Sequence, residues 1–286
     1  MNSNVRHDYA LGGLHFALNS PDYADSADLA LFRTEPEDAA VIWTVELKER
    51  LQQPQGKCLH KDPFNEILET SDGRVKLEYD ERDRELLYSE EMEGPARKIL
   101  CRTKCLEYFG PHLALGLMDI PHLMPHLGGV FLHASYVDAG GEALLFTGPK
   151  QVGKSTQAAL WCKYRGAEVI NGDRALLRAS EGHFRAYGSP YCGTSGICLK
   201  RDLPVKAVVI LSKAPENRAA HVGVRQALAA MLDGCSFDTW DAEAVGHVMD
   251  ISRELIGEVP FYSLACVPDE SAVEALEEIW QKEKEK

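Results

Sequence analysis

The residues of this sequence best suited to chemistry lie in one short segment. It reads Gly148-Pro149-Lys150-Gln151-Val152-Gly153-Lys154-Ser155, is followed by Thr156, and fits the pattern G-x-x-x-x-G-K-[ST]. In such a segment the backbone N–H groups surround phosphate oxygens, the lysine reaches the β- and γ-phosphates, and the hydroxyl binds Mg²⁺. The pattern, known as Walker A, predicts that residues 148–156 bind a nucleoside triphosphate, with Lys154 on the phosphates and Ser155 on the metal.

A phosphate-binding loop works only between a strand and a helix, and the flanking residues have that character. Residues 142–147 form a short apolar run suited to a buried strand, and residues 154–164 contain no helix breaker. The positive end of the helix dipole would add to the attraction for an anion. The sequence therefore predicts a strand, loop and helix in that order.

Phosphoryl transfer needs further groups to hold the metal and take a proton, and Asp173 is the leading candidate. It lies between two short β-like runs, where a carboxylate could bind Mg²⁺ or accept a proton from an attacking hydroxyl. Alternatively, it only closes a turn with Gly172. His133, on the strand predicted beside the loop strand, could relay a proton or orient a phosphate, unless it is an ordinary core histidine.

The segment from Gly188 to Gly196 is rich in glycine and hydroxyl side chains. Such a segment cannot pack a core and suits a mobile loop that faces an acceptor molecule, although it could equally be a plain connector. Possible additional phosphate partners, among which the sequence does not choose, are Lys200, Arg201, Arg218 and Arg225.

Composition restricts the class of partner. The 286 residues carry a net charge of −13, which repels nucleic acid and anionic membranes, so we expect neither as a partner. No stretch has the length of a membrane span and the first residues do not resemble a secretion signal, so we expect a cytoplasmic protein. Eight cysteines occur without a C-x-x-C pair. His122 and His126 have a spacing found in metal sites, but no complete four-ligand set is visible.

The chain divides by pattern into two regions. Residues 1–127 look β-rich and antiparallel, with a strand at Leu29 to Thr34, a hairpin at Asp72-Gly73 and a helical crossover from Ala96 to Leu127. Residues 128–286 alternate strands and helices, and end with two amphipathic helices, at 242–257 and after Asp269. We therefore predict a β-rich N-terminal region followed by an α/β nucleotide-binding domain.

Taken together, three segments resemble the HPr serine kinase family, a branch of the phosphoenolpyruvate-carboxykinase-like P-loop fold. They are His133-Ala134-Ser135, the residues Gly148 to Thr156, and Asn171-Gly172-Asp173-Arg174. The resemblance covers roughly residues 128 to 267. It implies a mixed sheet with flanking helices, binding of ATP and Mg²⁺, and phosphorylation of a hydroxyl on a protein, a peptide or a small molecule.

The sequence departs from that family at two places near the predicted site. Gly172 stands where the family has the first of two aspartates, and Thr156 stands where it has an acidic residue. Besides a kinase, the sequence therefore leaves open an accessory protein that binds ATP without transferring phosphate, or an ATP hydrolase. The acceptor is not identified, and a homo-oligomer is possible.

Overall fold

The computed structural model describes residues 4–284. The chain forms two compact units, Met1–Ile120 and Pro121–Lys286. Within the described residues, no helix combines the length and the apolar composition that a membrane span requires.

The first unit is built almost wholly of strands. In chain order its elements are β1 (Val5–Leu11), β2 (Leu14–Ser20), α1 (Ala27–Ala30), β3 (Val41–Lys48), β4 (Lys57–Lys61), β5 (Asn65–Thr70), β6 (Gly73–Tyr79), β7 (Leu86–Glu91), β8 (Ala96–Arg102), a 3₁₀ helix (Thr103–Tyr108) and α2 (Pro111–Met118).

These strands form an eight-stranded sheet in the order β1-β2-β3-β8-β7-β6-β5-β4. The predicted hairpin is confirmed, because Thr70 pairs with Gly73 across it. The sheet is mixed rather than antiparallel, since β2 and β8 both run parallel to β3. Two other expectations were wrong. Residues 29–34 contain the end of α1 and a turn instead of a strand, and the predicted helical segment begins with strand β8.

The second unit alternates strands and helices. Its elements are α3 (Ile120–Leu123), which starts at the boundary, a 3₁₀ turn (Met124–Leu127), β9 (Gly129–Asp138), β10 (Ala143–Thr147), α4 (Lys154–Arg165), β11 (Glu168–Asn171), β12 (Arg174–Ser180), β13 (His183–Tyr187), a 3₁₀ turn (Gly193–Ser195), β14 (Asp202–Lys213), β15 (Arg218–His221), α5 (Val224–Gly234), β16 (Cys235–Ser236), α6 (Ala242–Glu258), β17 (Phe261–Cys266) and α7 (Glu270–Lys284).

Two long strands organise the second sheet. β9 pairs antiparallel with β12 along its first half and with β10 along its second half. β14 pairs with β13 at its start and then runs parallel to both β10 and β17. The result is a mixed α/β sheet, as the sequence analysis expected.

Helices cover both faces of this sheet because its buried strands are apolar on both sides. Along β10, Leu145 packs into one core with α5 and α6, whereas Leu144 and Phe146 pack into the other with α4 and α7. Every residue of β10 is buried. The apolar run before the Walker A pattern is thus a strand in the middle of the unit, which holds the following loop rigidly.

Candidate active site

The loop of residues 148–153 connects the end of β10 to the start of α4, as the sequence predicts. Two of its glycines have backbone angles that favour glycine, with φ of 139° at Gly148 and 116° at Gly153. A Cβ on Gly148 would also lie 3.0 Å from the Leu211 carbonyl oxygen. Gln151, which stands where a glycine would be easier, adopts a φ of 64°. The backbone conformation of the loop therefore requires glycine at Gly148 and favours it at Gly153.

Lys154 folds back over this loop. Its Nζ donates to the carbonyl oxygens of Gly148, at 3.0 Å, and of Pro149, at 3.3 Å. The residue is only 8% exposed. Burial lowers the pKa of the Lys154 amine, and the nearby Asp173 carboxylate partly opposes that effect. A buried ammonium group whose hydrogen-bond partners are neutral carbonyls is a good receptor for an anion, because an anion would offset its desolvation.

Ser155 and Thr156 are exposed in the first turn of α4. The first N–H groups of a helix have no partner within the helix and carry the positive end of its dipole. The Ser155 hydroxyl is therefore accessible to a ligand of the 148–153 loop.

Asp173 lies in the turn between β11 and β12, and its carboxylate faces two cationic or titratable groups. Its Oδ1 is 3.4 Å from Nδ1 of His133, and its Oδ2 is 3.6 Å from Nε of Arg174. The same His133 nitrogen lies 3.1 Å from the Asp173 carbonyl oxygen. The pairing of β9 with β12 brings Asp173 close to His133, because it sets Arg174, the next residue, opposite His133.

The environment of His133 favours its neutral form. Burial lowers the pKa of the imidazole, as does the positive charge of Lys154, while Asp173 acts in the opposite direction. The side chain is still 40% exposed. It is thus a neutral base that solvent or a ligand can reach.

The segment from Gly188 to Gly196 packs directly against the Asp173 turn. A Cβ on Gly193 would lie 2.7 Å from the carboxyl carbon of Asp173, and one on Gly172 would lie 2.2 Å from Oγ of Ser195. Ser195 Oγ itself donates to the Cys192 carbonyl oxygen at 2.6 Å. The predicted acceptor loop therefore borders the Asp173 carboxylate, and its role stays a prediction.

Asn171 is the residue whose importance the sequence did not reveal. It is fully buried, and its Oδ1 accepts from the backbone N–H groups of Asp173 and Arg174, both at 2.8 Å. Its Nδ2 donates to the carbonyl oxygen of Ser189 at 2.9 Å. One side chain thus fixes both the turn that carries Asp173 and the start of the acceptor loop. The only signal in the sequence was its place just before Gly172-Asp173.

A second missed feature lies where α5 ends. Ser236 accepts a 2.7 Å hydrogen bond from Arg174, and a Cβ on Gly234 would lie 3.3 Å from the Thr147 hydroxyl at the end of β10. Thr147 in turn donates to the His133 carbonyl oxygen at 3.0 Å. The helices expected from the sequence did not include α5, so this border of the site could not be anticipated.

No contact among the described residues joins Arg201, Arg218 or Arg225 to Lys154, Asp173 or His133. Arg201 is engaged by Asp138 and Glu168, at the end of β9 where Asp138 pairs with Ala143, the first residue of β10. Arg218 lies in β15, which pairs with β17 away from β9. Arg225 lies in the first turn of α5. The residues that do come together are Lys154, Asp173 and His133, with Arg174 beside them.

Comparisons with known proteins show only a distant structural relationship. No family model matches the chain, and no curated protein matches it. Among solved structures, the chain is similar to the HPr(Ser) kinase/phosphatase from Coxiella burnetii, at 14% identity over 55% of this chain and 99% of that chain, with a TM-score of 0.32. So loose a superposition carries no argument about activity.

Proposed function

We propose that this chain is an ATP-dependent phosphotransferase that acts with Mg²⁺ on a hydroxyl group of a protein, a peptide or a small molecule. One observation carries the proposal. Three groups interact in one place: the Walker A lysine Lys154, the Asp173 carboxylate and the His133 imidazole. Asp173 contacts His133, and the charge of Lys154 lowers the pKa of His133.

The residues fit a triphosphate. The tight path at Gly148 and the exposed first turn of α4 leave backbone N–H groups for phosphate oxygens. Lys154 needs only to release two carbonyl oxygens to contact the β- and γ-phosphates. Ser155 and Asp173 would hold Mg²⁺, which neutralises charge on the phosphates when it is bound.

The proton of the attacking hydroxyl needs an acceptor, and two groups qualify. In the transfer, the acceptor oxygen bonds to the γ-phosphorus, the bond from that phosphorus to the β–γ bridging oxygen breaks, and the hydroxyl proton leaves. Asp173 has two carboxylate oxygens near the site, and the lowered pKa of His133 favours the neutral imidazole, which can accept a proton. His133 can also pass the proton to solvent, because it is partly exposed.

One observation favours the alternative of an ATP-binding protein without transfer. Gly172 supplies no second carboxylate, and Ser195 fills the space that a side chain there would need. Asp173 would then act alone, or nucleotide binding would only order this part of the chain.

The proposal is tested with γ-labelled ATP, Mg²⁺ and cell extract, using the wild type and Asp173→Asn. We expect label on an acceptor with the wild type, and a large loss with the variant, which should keep its fold and its affinity for ATP. Asp250→Asn serves as a matched control, because Asp250 lies on the exposed face of α6.

Other outcomes separate the alternatives. Release of inorganic phosphate without labelled acceptor indicates a hydrolase. Tight ATP binding with neither product indicates the accessory protein. An Asp173→Asn variant with unchanged transfer would show that Asp173 is only a turn residue.

A further inference from the structure

Outside the candidate active site, a second group of side chains has the composition of a metal centre. One ligand atom each from His126, Glu243 and His247 lies within 4.8 Å of the other two. His126 belongs to the 3₁₀ turn Met124–Leu127, and the other two belong to the first turns of α6. Two separate elements therefore converge on one point.

The helical pair has the spacing that a metal site needs. Glu243 and His247 are four residues apart on α6, so their side chains project from the same face of the helix. Glu243 is exposed and free to rotate, whereas the two histidines are partly buried and better fixed.

A further carboxylate positions His126. Asp241, the buried N-cap of α6, has its Oδ2 3.2 Å from Nε2 of His126 and accepts from the Glu243 backbone N–H at 3.1 Å through Oδ1. Metal-binding histidines commonly have a carboxylate on one nitrogen, which fixes the ring and makes the ligand more basic. Asp241 would supply that partner.

The two imidazole rings adjoin edge to face, with centroids 5.4 Å apart and planes at 88°. Nδ1 of His247 is buried and has no hydrogen-bond partner among residues 4–284. A buried polar atom without a partner costs free energy. An imidazole nitrogen in that position is the kind of donor that a metal ion satisfies.

We propose that His126, His247 and Glu243 bind a first-row transition-metal dication of the zinc class, with Asp241 holding His126 in place. Two imidazoles and a carboxylate suit Zn²⁺ far better than Mg²⁺ or Ca²⁺, which prefer oxygen ligands. At bonds of about 2.1 Å, tetrahedral ligand atoms are separated by about 3.4 Å, so donors that lie within 4.8 Å of one another need to approach by at most about 1.4 Å. Rotation of the exposed Glu243 contributes part of that movement.

Such an ion would cross-link the turn that precedes β9 to the start of α6. It would stabilise the second unit, because a metal ion that binds only the folded state shifts the folding equilibrium toward that state. The ion would not contact ATP. The sequence alone does not predict this site. His126 was visible beside His122, but its partners lie more than a hundred positions later.

The test uses the full chain, freed of metal by a chelator and kept reduced, with Zn²⁺ alone in calorimetry at pH 7.5. We expect one ion per chain for the wild type, and a rise in melting temperature of about 5 °C at saturation. His247→Ala and Glu243→Gln should each weaken binding more than about tenfold, the smallest loss expected when a site loses one of its groups. Glu243 is exposed, so its variant should fold even where His247→Ala does not.

Two controls distinguish this site from the rest of the chain. His183→Ala removes a histidine whose side chain is 79% exposed, and Asp173→Asn removes the carboxylate of the candidate active site; both should bind Zn²⁺ as the wild type does. Co²⁺ in place of Zn²⁺ should give visible bands without thiolate charge transfer, because no cysteine belongs to the proposed set. Three outcomes would each overturn the proposal. They are thiolate bands with Co²⁺, no stoichiometric Zn²⁺ binding by the wild type, and Zn²⁺ affinities of His247→Ala and Glu243→Gln that equal that of the wild type.

Discussion

Gly172 and Ser195 are packed so closely that a Cβ on Gly172 would lie 2.2 Å from the serine Oγ and 2.5 Å from its Cβ. The contact joins the turn that carries Asp173 to the predicted acceptor loop. It also gives a steric reason why the position before Asp173 carries no carboxylate in this chain, since any side chain there would displace Ser195.

This contact predicts a pair of compensating substitutions. Gly172→Ala should destabilise the protein by roughly 1–3 kcal/mol, the usual cost of overpacking a tight contact. Ser195→Gly in the same chain should recover most of that loss, because the Cα of Ser195 is 4.0 Å from the added Cβ. Urea unfolding of the two single variants and the double variant measures the coupling. Additive effects would show that the two residues do not meet in solution.

The sequence predicted the part of the site that depends on neighbours along the chain. An apolar strand, a loop of fixed pattern and a breaker-free helix are local features, and β10, the 148–153 loop and α4 follow them. The contacts that shape the rest join residues far apart. Ser195 packs against Gly172, and Asn171 donates a hydrogen bond to Ser189. The hydrophobic periodicity of the sequence does not predict such contacts between a loop and a distant turn.

The errors in the fold have a similar origin. The sequence predicts a strand from Leu29 to Thr34, but the Ser26 hydroxyl accepts a hydrogen bond from the Leu29 N–H and caps the N-terminus of α1. The antiparallel sheet of the first unit was expected from its hairpins. Its parallel pairs, of β3 with β2 and β8, depend on long connections that local pattern does not reveal.

Lys154→Ala should weaken ATP binding at least about tenfold, because charge-assisted contacts to phosphate are stronger than neutral ones. Isothermal calorimetry with ATP and Mg²⁺ measures the effect. Lys163→Ala is the matched control, since Lys163 lies in the last turn of the same helix and contacts Tyr164. Equal affinities of the wild type and a folded Lys154→Ala would remove the 148–153 loop from the proposed function.

The lowered pKa of His133 predicts a pH dependence of stability. As pH falls through the ordinary histidine pKa of about 6.5, the unfolded chain takes up a proton that the folded chain resists. The free energy of unfolding should therefore decrease at low pH, and less so in His133→Asn, which keeps a side chain able to contact the Asp173 carbonyl. Urea unfolding at pH 7.5 and 5.5 gives the difference between the two chains.

His183→Asn supplies the reference for that comparison, because its side chain is largely exposed and lies far along β13 from the Asp173 turn. It should lose as much stability as the wild type between the two pH values. Transfer activity that requires neutral His133 should fall only at lower pH than the ordinary histidine range, because the pKa of the folded protein's His133 is lowered. An identical pH response of the wild type and His133→Asn would contradict the role of burial and Lys154 at this histidine.

Asn171→Asp tests whether one buried amide holds the turn and the acceptor loop together. The substitution keeps the shape and the oxygen that accepts from Asp173 and Arg174, but it replaces Nδ2 by an oxygen facing the Ser189 carbonyl. A buried donor is lost and two acceptors are left opposed, so we expect a destabilisation of roughly 1–3 kcal/mol or more. Ser189→Ala leaves the backbone carbonyl as a partner for Nδ2 and should cost less. Hydrogen exchange should then show faster exchange in Asn171→Asp at residues 188–196 than in Ser189→Ala, and equal protection in the two variants would mean that the amide does not hold the loop.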